Sequence, residues 1–135
     1  MVEPTKISPN PIKDFKDLEV WKRARVFRHE LYKIAKSLPE IERFGLASQL
    51  RRSATSVTAN IAEGYGRFGC QENVQACRQA RRSVYELRDH LTNCVDEEYL
   101  SLEEGKRLVR IAQSLTRLLN EYLRSTLALK RKSPT

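Results

Sequence analysis

Long apolar runs are missing from the chain, and this absence excludes a membrane span. No stretch approaches the roughly 20 consecutive apolar residues that cross a bilayer. The first 14 residues are interrupted by three prolines and lack the apolar core of a signal peptide. The three cysteines are an odd number for a disulfide framework. We therefore expect a cytoplasmic protein with reduced thiols and without a membrane partner.

Residue types that bind metals or catalyse reactions are also scarce. The chain has two histidines and no Glu-x-x-His pair, which excludes the di-iron sites of helical bundles. His90 and Cys94 are one helical turn apart, but a zinc site usually needs four ligands. A cysteine nucleophile would need a base within hydrogen-bond reach, and no such pairing stands out. We expect no metal, no cofactor and no enzymatic activity.

Glu63 is the carboxylate that has two interpretations. It lies three residues after Asn60, near the end of a predicted helix. One interpretation is a catalytic carboxylate; the other is a structural clamp with an arginine such as Arg51, Arg52 or Arg67. We favour the clamp, because nothing else in the sequence forms an active site around Glu63.

Glycine is sparse, and three of the five glycines stand in one motif. The stretch GYGRFG, residues 64–69, matches the G-x-G-x-x-G pattern of phosphate-binding loops. Such a loop follows a β-strand, whereas this stretch follows a predicted helix. We therefore expect Gly64 to end that helix in a left-handed conformation. Gly66 and Gly69 would then allow the chain to reverse direction.

Alternation with period two is absent as well, so we do not expect a β-sheet. Apolar residues instead recur every three or four positions, as in Val20, Ala24 and Phe27. This periodicity predicts four helices, at about 17–38, 45–63, 70–95 and 102–129. Their short connections favour an all-α, antiparallel up-and-down four-helix bundle.

The bundle would occupy residues 15–129, between a flexible arm (1–14) and a basic tail (130–135). Asp17 is expected to cap the first helix, and Ser101 opens a capping box for the fourth. The second helix has small side chains on more than one face, at Ala47, Ala54, Ala59 and Ala62. A helix of this kind is often packed against neighbours on more than one face. In a chain of only four helices, a second subunit would cover the remaining face.

Charge is the property that the chain has in excess. The net charge is +8, and an anionic partner such as nucleic acid is one explanation. Arginine recurs every seven residues along the fourth helix, which keeps it on one face, at Arg110, Arg117, Arg124 and Arg131. The other basic positions that we assign to phosphate contacts are Lys22, Arg25, Lys33 and Lys36 on the first helix, and Arg78, Arg81 and Arg82 on the third. The alternative is a solvated face in which Glu121 pairs with Arg117 or Arg124.

Two segments resemble a known family. FKDLEVW at 15–21 and FGLASQLRRSATSVTANIAEGYGR at 44–67 are similar to the four-helix bundle proteins encoded in bacterial 23S rRNA intervening sequences. The most specific residues of this resemblance are Gln49, Arg52, Asn60, Glu63 and Gly64 with their neighbours. The resemblance covers residues 15–125 and implies a ring-shaped homopentamer. It also implies similarity to the accessory variability proteins of diversity-generating retroelements, which are basic pentamers that bind nucleic acid and a reverse transcriptase.

These observations lead to two hypotheses of function. The first is a non-enzymatic, oligomeric helical scaffold that binds RNA or DNA through its basic helix faces, largely independently of sequence. The alternative is a protein adaptor that docks a reverse transcriptase or a ribosome-associated factor.

Overall fold

Four helices make up most of the chain. The computed structural model describes the backbone of residues 12–67 and 69–132 and the side chains through residue 128. The helices are α1 (Glu19–Ser37), α2 (Leu46–Tyr65), α3 (Cys70–Asp96) and α4 (Leu102–Lys132). Short 3-10 turns at Phe15–Asp17 and Glu40–Glu42 precede α1 and α2. No β-strand occurs in the described residues, so the predicted all-α class is confirmed.

The helices pack as an antiparallel up-and-down bundle, as predicted. Each helix contacts its neighbours in sequence, and α1 also contacts α4 along the most loosely packed of the four seams. Helices α1 and α3 therefore lie diagonally across the bundle. The connections 38–45 and 97–101 lie at one end, which we call the distal end. Most of the predicted arm (residues 1–11) lies outside the described residues, as does the end of the predicted tail.

The core consists of the apolar stripes that the sequence predicts. Phe27 and Leu31 of α1, Leu87 of α3 and Leu108 of α4 are almost completely buried. Cys77 and Cys94 also lie in the α3 stripe and are buried as small apolar side chains. Each fully buried leucine or phenylalanine contributes about 1.5–3 kcal/mol relative to an exposed one.

Gly64 does not end α2, and the expectation of a left-handed terminal glycine was wrong. The helix continues through Tyr65, and none of the described glycines has a positive φ. Gly64 is instead buried against α3, where an added Cβ would come within 2.7 Å of both the Ala76 Cβ and the Asn73 Oδ1. The glycine is required because it lets two helix backbones approach closely.

Of the two predicted helix caps, the one at Asp17 was wrong, and the one at Ser101 forms in part. Helix α1 begins at Glu19 and receives no side-chain cap. The Asp17 carboxylate instead accepts hydrogen bonds from the backbone N–H groups of Lys13 (2.9 Å) and Asp14 (3.1 Å), and so stabilises the preceding 3-10 turn. At α4, the Ser101 Oγ accepts the Glu104 N–H at 3.1 Å, so this half of the predicted capping box forms.

Candidate nucleic-acid interface

The outer face of α1 carries four of the predicted cations. Lys22, Arg25, Lys33 and Lys36 are all exposed. Their exposure follows from the apolar stripe of the same helix, because residues opposite that stripe must face solvent.

A groove of about 800 Å³ runs beside this face, between α1 and α2. Its lining includes four basic residues of α1, Lys22, Arg25, Arg28 and His29. Tyr32 of α1 and Thr55 of α2 also line it. Tyr32 and Thr55 share a hydrogen bond of 2.7 Å between their hydroxyl oxygens. The groove therefore gathers four basic side chains and has a wall that is tied across two helices.

The basic groove contains one arginine, Arg28, that the sequence pattern did not predict as a phosphate contact. Arg28 is half-buried and donates a hydrogen bond to the Thr58 Oγ1 at 2.8 Å. The guanidinium carbon of Arg25 lies 5.6 Å from the centre of the Trp21 ring, in cation–π range. The spacing of Arg25, Arg28 and Tyr32, three and four residues apart, was a local signal that these side chains share a helix face.

The outer face of α4 presents Arg110, Arg117 and Arg124, all of them exposed. None of the three has a carboxylate within 4.0 Å among the described residues. In particular, Glu121 forms no ion pair with Arg117 or Arg124 there, and Arg117 has only a long contact of 3.4 Å with the Ser114 Oγ. The side chain of Arg131, the last member of this predicted stripe, lies outside the described residues.

On α3 the predicted arginines separate into two kinds. Arg78 and Arg82 are exposed, and Arg82 donates a weak hydrogen bond to the Gln79 side chain at 3.3 Å. Arg81 is half-buried and donates to the Asn120 Oδ1 at 2.7 Å, which joins α3 to α4. Its guanidinium is thus already used within the bundle.

The three basic faces do not converge on one site. Lys22 and Arg25 of α1 line the groove between α1 and α2, whereas Arg110 of α4 lines a cavity between α3 and α4. Among the described residues, the groove between α1 and α4 is lined by none of the predicted cations. The α1–α4 seam is closed by Arg107, which donates to Glu104 at 2.7 Å and also to Glu30. These carboxylates raise the pKa of Arg107, and Arg107 in turn lowers the pKa of Glu104. The ion pairs of the described residues thus use other arginines, and the predicted cations whose side chains are described have no carboxylate within 4.0 Å in that part of the chain.

The family-like residues of α2 have structural contacts. Glu63 forms an ion pair of 2.9 Å with Arg67, which also lies 3.7 Å from Glu72 at the start of α3. The hydrogen bond to Glu63 is the main cause of the raised pKa of Arg67. These contacts are those of a clamp across the turn.

Two further polar contacts involve Ser56: one lies within α2, and the other connects α2 to α3. Asn60 donates to the backbone carbonyl of Ser56 at 2.8 Å, and the Ser83 Oγ donates to the Ser56 Oγ at 2.8 Å. Gln49 and Arg52 remain exposed. Some residues of the family-like motif therefore pack inside the bundle, and others lie on its surface.

The described residues offer little for catalysis or metal binding. Burial raises the pKa of both Cys77 and Cys94 to about 11, so both thiols are poor nucleophiles at neutral pH. No group of three or more His, Cys, Asp or Glu side chains is arranged to hold a metal in this part of the chain. None of the described helices combines the length and apolarity of a membrane span.

The bundle is similar to a solved structure. A crystal structure of a protein of unknown function from the S23 ribosomal protein family of Bacteroides thetaiotaomicron VPI-5482 superposes with a TM-score of 0.72. The two chains are 22% identical over 77% of this chain and 97% of that one, which establishes a shared fold. No curated protein matches the chain. The model of the 23S rRNA-intervening sequence protein family matches residues 16–121, and the chain therefore belongs to that family.

Proposed function

We propose that the chain is a non-enzymatic helical scaffold that binds RNA or DNA through the basic outer faces of its helices α1 and α4. The observation that carries this proposal is the set of exposed cations on α1 and α4 that have no carboxylate within 4.0 Å in the described part of the chain. An unpaired arginine or lysine can form a new charge-assisted hydrogen bond to phosphate without first breaking an internal one. The name of the family links its members to 23S rRNA, which makes RNA the first partner to test.

Helical faces of this kind favour binding that is largely independent of sequence. Phosphate contacts position a protein on a nucleic acid, whereas sequence is read through contacts to base edges. The cations of α1 and α4 lie on long outer faces, where they suit a backbone that passes along the bundle.

We further propose that the scaffold is a cytoplasmic homo-oligomer, with the homopentamer implied by the family resemblance as its form. Support comes from α2, where Ala59 is exposed and Ala62 is half-buried in the single chain. Small side chains on an exposed helix face allow another backbone to come close. Repetition of the basic faces around a ring would strengthen weak phosphate contacts through effective concentration.

The test is a titration of a fluorescently labelled mixed-sequence RNA followed by anisotropy. Between about 50 and 200 mM salt we expect the affinity to fall about 20-fold if three phosphates of the single strand are contacted. Arg25→Glu should weaken binding and reduce the salt slope by about one. Arg43→Glu is the matched control, since it changes the net charge equally at the distal end. Binding that is absent, or insensitive to salt, would refute the proposal.

The second candidate is the protein adaptor, which would dock a reverse transcriptase or a ribosome-associated factor. Exposed apolar side chains at the distal end favour it. The combined variant Arg110→Glu, Arg117→Glu and Arg124→Glu separates the two candidates. If this variant loses RNA but keeps a protein partner, the adaptor is the better description.

A further inference from the structure

We infer that the distal end of the bundle is a docking surface for a basic protein segment that carries apolar anchor side chains. The inference does not depend on nucleic-acid binding by α1 and α4. It rests on three properties of this end: exposed apolar side chains, a rigid connection that holds them, and an excess of carboxylates.

Large apolar side chains are unusually exposed at the distal end. Ile41 and Phe44, in the α1–α2 connection, are each 86% exposed, and Leu102, at the start of α4, is 62% exposed. Single exposed apolar residues are common on protein surfaces. Here, however, three of the six large apolar residues that are exposed in the described chain lie at one end of the bundle.

The connection that carries Ile41 and Phe44 is held by hydrogen bonds. The Glu42 carboxylate accepts the Tyr99 hydroxyl at 2.9 Å and the Leu46 N–H at 3.1 Å, so it ties this connection to the α3–α4 connection. Backbone bonds from Glu42 to Pro39 (2.9 Å) and from Gly45 to Glu42 (3.0 Å) close the turn. A partner would therefore meet a preorganised surface and would lose little binding energy to ordering it.

The charge of the distal end is opposite to that of the whole chain. Segments 38–46 and 96–104 contain seven carboxylates and one arginine, although the chain as a whole carries +8. Asp96, Glu97, Glu98 and Glu103 are exposed, and none has a cation within 4.0 Å among the described residues. Such a surface repels a polyanion and attracts a cationic segment.

The apolar and acidic features together define the occupant. Exposed phenylalanine and isoleucine need apolar side chains to cover them, and the surrounding carboxylates need lysine or arginine. A basic amphipathic helix satisfies both needs, since its apolar side chains lie on one face and its cations flank them.

The experiment uses the full chain and a fluorescently labelled amphipathic peptide of about 18 residues, built from leucine and lysine. We expect saturable binding, and we expect Phe44→Ser to weaken it about tenfold or more, as for an interface anchor. Val26→Ser is the matched control, because Val26 is 67% exposed on α1 and should not contribute. Phe44 is so exposed that its replacement should leave the fold and the RNA affinity unchanged.

Several outcomes would overturn the inference. These are no binding at millimolar peptide, equal binding of a peptide in which glutamate replaces lysine, and equal effects of Phe44→Ser and Val26→Ser. Light scattering provides a further check: if Phe44→Ser lowers the molar mass, the surface joins copies of this chain and does not dock a basic segment. Loss of RNA binding in Arg25→Glu with peptide binding retained would show that the two surfaces are independent.

Discussion

Two nearby glycines have different roles at the scale of single residues. An added Cβ at Gly64 would lie 2.7 Å from Ala76 Cβ, whereas at Gly66 it would meet only backbone oxygens at 3.6 Å. We therefore predict that Gly64→Ala lowers the free energy of unfolding by roughly 1–3 kcal/mol, because α2 and α3 must separate. Gly66→Ala should change it by less than about 1 kcal/mol. Urea denaturation followed by circular dichroism measures both; equal effects would contradict the close approach of the helices.

The three cysteines should differ in reactivity. Cys77 and Cys94 are buried and have raised pKa values of about 11, while Cys70 is only half-buried and donates to the Thr126 carbonyl at 3.0 Å. Iodoacetamide at pH 8 should therefore modify Cys70 first, with the other two reacting only after denaturation. Peptide mass spectrometry after timed labelling identifies the modified residues. Early labelling of Cys94 would show that the core opens more readily than the packing implies.

The roles of single residues could be predicted from the sequence only where they follow from a local pattern. The burial of Cys77 and Cys94 followed from their positions on the apolar stripe of α3. The role of Gly64 did not, because it depends on Asn73 and Ala76 of another helix. Arg81 is a similar case: its contact with Asn120, 39 positions away, leaves no local pattern.

At the scale of elements, the turn between α3 and α4 contains a strained residue. Glu98 has a φ of 64° and is the only non-glycine residue with a positive φ among those described. Glycine adopts this conformation without the steric cost, so Glu98→Gly should raise the free energy of unfolding by about 1 kcal/mol. Glu97→Gly is the control, since Glu97 has a φ of −87° and loses the same charge. A thermal melt that ranks the two variants in the opposite order would refute this explanation.

The seam between α1 and α4 should make stability depend on pH. The hydrogen bond from Arg107 lowers the pKa of Glu104, so ionised Glu104 is favoured in the folded state. This stabilisation is present above the ordinary glutamate pKa of about 4.3 and is lost as the pH falls through the lower, folded-state value. Arg107→Met should remove that part of the acid sensitivity.

Urea denaturation at pH 7 and at several values below pH 4 tests this prediction. The stability difference between the natural chain and Arg107→Met should shrink as the pH falls. Arg23→Met is a suitable control, because Arg23 pairs only with Glu19 of its own helix. A difference that stays constant across this range would mean that the ion pair with Glu104 contributes no pH dependence.

Elements were the most predictable level of this protein. Four apolar stripes identified four helices, because burial repeats every three or four residues along each helix. The same signal did not predict the distal end. Ile41 and Phe44 are typical core residues by type, and only the position of the α1–α2 connection places them in solvent.

At the scale of the whole molecule, the proposed subunit interface on α2 can be tested by mutation. Ala59 of α2 and Ala128 of α4 are both exposed in the single chain. If α2 lies at a subunit interface, Ala59→Arg should reduce the molar mass measured by light scattering, whereas Ala128→Arg should leave it unchanged. RNA affinity should fall together with the mass, because repeated contacts are lost. If the molar mass of Ala59→Arg is unchanged, this face of α2 does not lie at a subunit interface.

The bundle fold and the family could be predicted from the sequence, whereas the grouping of the charges in space could not. Stripes on α1, α3 and α4 were predicted separately, but only the packing shows that Lys22 and Arg25 line the α1–α2 groove while Arg110 lies on the α3 side of α4. The pentamer remains a prediction from the family resemblance.

Carboxylates gathered at one tip, with cations along the flanks, give the molecule a permanent electric dipole along its long axis. That tip repels a polyanion, so an RNA strand drawn to the flanks would leave Ile41 and Phe44 uncovered. Charge asymmetry alone would thus keep the tip open to a second macromolecule.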